Sequence, residues 1–127
     1  MGFVVVEVMV PATRFPMDDD ATISAVTVGN VAFLGVPCDV AAELGAGLKQ
    51  AARAHQLNPV LIGFACDYIG YCVPERAYEA KGYESFMAFN GPRAGTLVME
   101  RLIEMLDSLM SSNMHHATSN TGNPSDR

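Results

Sequence analysis

The stretch that most constrains the fold runs from Val31 to Ala65, "VAFLGVPCDVAAELGAGLKQAARAHQLNPVLIGFA". It reads as strand, helix, strand. "VAFLGV" is apolar throughout and stops at Pro37, which predicts a strand covered on both faces. Val40, Leu44, Leu48, Ala51 and His55 then recur at helical spacing, so a helix is expected over 39–54. Asp39 stands where an N-cap belongs. "NPVLIGFAC" predicts a second buried strand. A connection that contains a whole helix is far too long for a hairpin. The two strands are therefore expected as parallel neighbours near 31–36 and 58–65, joined by a right-handed crossover.

The remaining segments fit around that unit. "FVVVEVMV" is β-branched and ends at Pro11, a strand signal. "PATRFPMDDD" reads as a loop whose acidic run is a solvated turn. "ATISAVTV" and "VAFLGV" flank Gly29-Asn30, a hairpin signal. Pro74 followed by "ERAYEA" predicts a short helix that Gly82 stops. Tyr83 is expected to open an edge strand. Val98, Leu102, Met105 and Leu109 mark an amphipathic helix from Arg93 to Met110. Residues 111–127 are polar and are expected to be a disordered tail. The fold class is thus α/β, a mixed β-sheet with helices packed on it.

Charge and length exclude several functions. The chain has 127 residues and a net charge of −6. Its few Lys and Arg residues are scattered, leaving no stripe for a phosphate backbone, so nucleic-acid binding is not expected. No apolar run approaches a membrane span. The N-terminal apolar run is interrupted by Glu7 and follows no cationic residue, so no signal peptide is read there. These features leave the localisation open. Cys38, Cys66 and Cys72 are odd in number, which rules out a complete internal set of disulfides, and they read as small apolar residues.

All four tyrosines lie in one short stretch, "CDYIGYCVPERAYEAKGYE". Four buried hydroxyls would need four partners. Tyr68, Tyr71, Tyr78 and Tyr83 therefore either line a wet surface or include oxygens with a chemical task. Ligand sites in open α/β sheets gather beyond the carboxyl ends of strands. Asp39 and the first tyrosines both fall there, so a carboxylate and phenols could meet at one edge and bind a metal. On spacing alone a plain helix cap is the favoured reading of Asp39; Tyr68 and Tyr71 also fit simple packing against the sheet edge, and Tyr78 a half-exposed place in a short helix. His55 ends a helix, where a cation suits the dipole. His115 and His116 read as solvated.

The run "GFACDYIGYCVPERAYEAKGYESFMAFNGP" resembles the neutral/alkaline, non-lysosomal ceramidases and their bacterial relatives. Gly63, Tyr68, Tyr71, Pro74, Tyr78, the Tyr83-Glu84 pair and Gly91-Pro92 fit that family's order without a gap. Upstream, "VTVGNVAFLGVPCDVAAELG" looks like the family segment that leads through P-G-E into a helix. The resemblance covers about residues 22 to 110. It implies a zinc amidase that splits ceramide into sphingosine and a fatty acid. The family's zinc is held by two histidines, a glutamate and a tyrosine. The glutamate falls on Asp39, the tyrosine ligand on Tyr71, and a tyrosine that assists at the substrate carbonyl on Tyr83.

The sequence also departs from that pattern. Asp39 is one methylene shorter than the family's glutamate. Cys38 and Cys66 replace a glycine and an asparagine. The two histidine ligands and the active-site serine belong to a longer N-terminal part that this sequence does not contain; His55, His115 and His116 do not occupy those positions. The resemblance thus implies an incomplete piece of a larger catalytic domain. Residues 1–110 form its C-terminal portion. Alone, it is expected to bind zinc weakly and to leave ceramide or any other lipid amide intact. Its expected partners are such a lipid amide and the missing N-terminal part. The alternatives are a non-enzymatic α/β binding module diverged from that family, or a truncated reading frame.

Overall fold

The computed structural model describes residues 2–9 and 20–119. Residues 120–127 lie outside them, as does the proposed loop 11–20 except for Asp20, which is the first residue of a strand. Strand β1 (Gly2–Met9) pairs antiparallel with β2 (Asp20–Val28), and β2 with β3 (Val31–Gly35). The turn at Gly29-Asn30 falls where the hairpin signal puts it, and Gly29 takes φ +60°, which suits glycine. After β3 the chain forms a two-residue strand, β4 (Asp39–Val40), then helix α1 (Ala42–Ala54) and strand β5 (Asn58–Ile62). β5 lies parallel beside β3, with Val31 opposite Asn58 and Gly35 opposite Ile62. The main sheet is therefore mixed, in the order β1-β2-β3-β5. The expected parallel neighbours, with a helix between them in sequence, are present.

Three local expectations are corrected. Helix α1 starts at Ala42 with Ala41 as its N-cap and no side-chain cap, so Asp39 does not cap it. The Asp39 N–H instead donates to the Gly70 carbonyl at 3.0 Å, which commits that residue to β4. Its buried stripe is consequently Gly45, Leu48 and Ala52, with Val40 left outside the helix. Second, β5 is an edge strand with one face open: Val60 and Ile62 are exposed. Pro59 fits there, since an edge strand has a side without a ladder partner. On β3, Phe33 is exposed as well, so that strand too is covered on one face. Third, Tyr83 opens a short helix, α3 (Tyr83–Met87), not an edge strand.

The core lies between one sheet face and helices α1 and α4 (Ala94–Ser119). Ala21, Ile23, Ala25, Ala32 and Leu34 point into it from the sheet, and Leu48, Ala52, Val98, Leu102 and Leu106 from the helices. Small alanines on the strands let the helices approach, and the leucines fill the layer. Each fully buried leucine contributes roughly 1.5–3 kcal/mol. Helix α4 continues beyond Met110 to Ser119, into the stretch expected to be a polar tail. Extending an existing helix costs far less than nucleating one. Ser111 and Ser112 hydroxyls donate back to the carbonyls of Asp107 and Ser108. Among the described residues, no helix is long and apolar enough to cross a membrane.

Candidate functional site

The site is built on the second sheet, the parallel pair β4 and β6 (Tyr71–Cys72). Its register sets Asp39 opposite Tyr71 and Val40 opposite Cys72. Two-residue strands hold little ladder energy, so the loop before β6 is secured by other means. Ile69 N–H donates to the Pro37 carbonyl at 2.7 Å. The buried Asn90 side chain donates to the Ile69 carbonyl at 3.1 Å. Gly70 adopts φ +87°, and a Cβ there would lie 2.4 Å from the Met87 carbonyl oxygen. Only glycine fits that position without displacing the backbone. Farther back, the Asp67 carboxylate accepts from Thr22 N–H at 2.8 Å and ties the loop to β2.

Asp39 and Tyr71 meet as side chains too. The Tyr71 phenol hydrogen-bonds to Asp39, and that bond is the largest cause of a Tyr71 pKa raised above its usual value. Partial desolvation and the negative charge of Asp39 add to the shift. The neutral phenol donates to the carboxylate. Tyr83 packs edge-on against Tyr71, with ring centroids 6.1 Å apart. The three residues singled out from the sequence as Asp39, Tyr71 and Tyr83 are thus brought to one place. Asp39 and Tyr71 line an open cleft of about 430 Å³ together with Val40, Glu43, Val73 and Glu84, the last of these adjacent in sequence to Tyr83.

The other two tyrosines differ. Tyr68 is exposed and stacks on Phe64, with centroids 5.3 Å apart. Tyr78 is half-buried in α2 (Glu75–Glu79). His55 caps the C-terminal end of α1 and hydrogen-bonds Asp107 at 2.7 Å; it is not among the cleft residues. The side chains of His115 and His116 lie outside the described residues. Sequence reasoning missed Glu43, which lines the cleft and pairs with Arg76 from α2. It also missed the supporting roles of Gly70 and Asn90, for which pattern alone holds no signal.

The donors do not complete a metal site. Zinc in proteins takes three or four protein ligands. The cleft offers the Asp39, Glu43 and Glu84 carboxylates and the Tyr71 phenol, and no imidazole. Among the described residues, no group of three or more His, Cys, Asp or Glu side chains is placed to hold a metal ion. What these side chains can do unaided is accept from a donor at Asp39 in the cleft and donate from the exposed Tyr83 hydroxyl beside Tyr71.

No protein-family model matches the chain, and no curated protein matches it. Solved structures do. The neutral ceramidase from Pseudomonas aeruginosa superimposes with a TM-score of 0.67 at 20% identity, covering 74% of this chain and 16% of that one. A ceramidase complexed with C2 gives a TM-score of 0.68 at 21% identity, over 74% of this chain and 15% of that one. The chain thus has the fold of a segment of these ceramidases, and spans about one sixth of their length.

Proposed function

We propose that this chain carries one wall of a ceramidase-type amide hydrolase site and is inactive by itself. The observation that carries this reading is the meeting of Asp39, Tyr71 and Tyr83 at the β4–β6 edge. The resemblance assigns a metal-binding carboxylate, a metal-binding phenol and a carbonyl-assisting phenol to these same three positions. The shared fold supports the reading, since it sets the segment within a ceramidase architecture. The substrate class is a lipid amide such as ceramide. The role of Tyr83 would be to donate to the carbonyl oxygen as it gains charge, the kind of preorganised contact that lowers an acyl-transfer barrier. The role of Asp39 would be to orient Tyr71.

Zinc is the metal the resemblance implies, and the described residues do not fit it without further ligands. The Asp39–Tyr71 hydrogen bond also opposes it, because a phenol must lose its proton to ligate. Structural zinc sites gain roughly 10–16 kcal/mol only with a complete ligand set. Calorimetric titration of the chain with zinc is expected to give weak or undetectable binding, and a fluorescent ceramide to remain uncleaved. Adding the remaining part of a ceramidase in trans is expected to restore zinc binding. In that complex Asp39→Glu should tighten zinc and Tyr71→Phe should weaken it. A stoichiometric submicromolar zinc site in the chain alone would sink this reading. The second reading, a non-enzymatic binding module, is favoured by the same Asp39–Tyr71 bond, which satisfies both groups without metal. It would be preferred if the added ceramidase part failed to associate.

A further inference from the structure

β5 is the last strand of the main sheet, and its hydrogen bonds fix which way each residue faces. Asn58 N–H donates to the Asn30 carbonyl at 2.7 Å, and Val36 N–H to the Ile62 carbonyl at 2.9 Å. Pleating turns the backbone groups of successive residues to opposite edges. Asn58, Val60 and Ile62 therefore bond to β3, while Pro59 and Leu61 turn their groups outward. In a trans peptide the N–H opposes the preceding carbonyl. The Ile62 carbonyl points at β3, so Gly63 N–H points away from it. Among the described residues, neither the Leu61 nor the Gly63 N–H finds an acceptor. Pro59 has no N–H, and it stands in the outward set, where β3 loses nothing by that. The outer edge thus offers the Pro59 and Leu61 carbonyls and the Leu61 and Gly63 N–H groups, at the end of β5 from which the chain runs on to β6.

The face beside that edge is also unsatisfied. From Thr22 to Val28 on β2, and along β3 and β5, the open side carries no charged residue, although the chain has 14 acidic and 8 basic ones. Phe33, Val60 and Ile62 stand exposed on it. Solvated sheet faces normally turn polar, and monomers rarely leave so apolar a patch open. We propose that β5 is a docking seam: its outer edge and the open face receive the part of a ceramidase-type domain that lies outside this chain. An extended segment of that part continues the sheet beside β5, and its apolar side chains cover Phe33, Val60 and Ile62. This rests on the reading of the chain as one wall of a ceramidase-type site. The occupant is argued from length: the chain covers 16% of a ceramidase it superimposes on, so most of such a molecule is at hand to cover what this segment leaves open. A second copy fits less well. Two β5 strands paired about a two-fold axis at Leu61 would set each Pro59 opposite a Gly63 and lose a hydrogen bond on both sides. Each copy also carries a net charge of −6.

The test coexpresses the full chain with the Pseudomonas aeruginosa neutral ceramidase from which the matching segment has been removed, so that the two parts can fold together. Amide exchange is read residue by residue. In the chain alone, the Leu61 and Gly63 amides are expected to exchange roughly 100-fold faster than those of Val60 and Ile62, which bond to β3. In the complex they should slow to the range of Val60. Val60→Lys with Ile62→Lys should leave the chain alone folded, because both residues are exposed. In the complex the two lysines become unpaired buried charges and should weaken it roughly 100-fold or more. Ser108→Lys, exposed on α4 on the far side of the core, should leave the complex unchanged. Slow exchange of Leu61 in the chain alone would overturn the proposal, because the edge would already be covered. A dimer of the chain that the two lysines split would give the face to a second copy and overturn it too. So would failure to form a complex, or a complex indifferent to the lysines. A complex that protects Leu61 but neither binds zinc nor cleaves ceramide would sink the zinc-site reading and support the seam. Zinc binding with Leu61 still exchanging fast would do the reverse.

Discussion

The two faces of the four-stranded sheet make opposite use of apolar residues. One carries Ala21, Ile23, Ala25, Ala32 and Leu34, each 0–1% exposed beneath α1 and α4. The other carries Val28, Phe33, Val60 and Ile62, which stay 37–49% exposed. On β2 the alternation of Thr22 and Ser24 with buried Ile23 and Ala25 already marks the open side, whereas on β3 and β5 both faces are largely apolar and only packing separates them. A finished α/β domain usually covers both faces of a parallel pair. The open face of β3 and β5 therefore accords with a fold that corresponds to about one sixth of a ceramidase chain. The stability of the chain should come almost wholly from the covered face.

The strongest test of that contrast is Leu34→Ala, on the covered face. It leaves a cavity in a packed layer and should cost about 3 kcal/mol or more, read from urea unfolding midpoints. A loss under about 1 kcal/mol would mean that the covered face is not the main core. Next in size is Gly70→Ala, which probes the edge that holds the site. The added methyl would meet the Met87 carbonyl and the Phe89 ring at a positive φ, so roughly 2 kcal/mol should be lost. Near-UV spectra should show the Tyr71–Tyr83 pair disturbed more than the core.

A finer probe of the edge is the ionisation of Tyr71. The Asp39 carboxylate holds its proton, so Tyr71 should titrate above the usual phenol value near 10. The ultraviolet phenolate signal that disappears in Tyr71→Phe should move to lower pH in Asp39→Asn. The linkage has a definite sign. The folded pKa is the raised one, so the contribution of this bond is complete below about pH 10 and is lost as pH climbs through the raised value. An Asp39→Asn protein whose phenol titration matched the parent would remove the hydrogen bond from the account. The smallest effect is expected on the open face. Val60→Thr and Ile62→Thr keep β-branching and should each change stability by no more than about 0.5 kcal/mol. A large loss there would show that the face is covered after all.

Much of this was legible in the sequence because it rests on periodicity and turn chemistry. The Gly29-Asn30 hairpin and the β3–α1–β5 crossover follow from local pattern. So did the gathering of Asp39, Tyr71 and Tyr83, though by resemblance to a family and not by spacing. β4 and β6 were hidden, since two residues carry no period. Their strands exist because Asp39 and Ala41 find the Gly70 and Cys72 carbonyls across a gap of some thirty residues, a match that only a closed fold creates. The same long-range bond took Asp39 from the cap it locally resembles.

The sequence by itself therefore determined the local elements: which segments extend, which coil, and where the hairpin turns. These depend on residues within a few positions of one another. The tertiary structure alone decided which apolar face is buried, where α1 begins, and that the carboxylate and phenol share a hydrogen bond. Each of those outcomes is a competition between distant groups for the same surface or the same backbone donor, and no local pattern records which one wins.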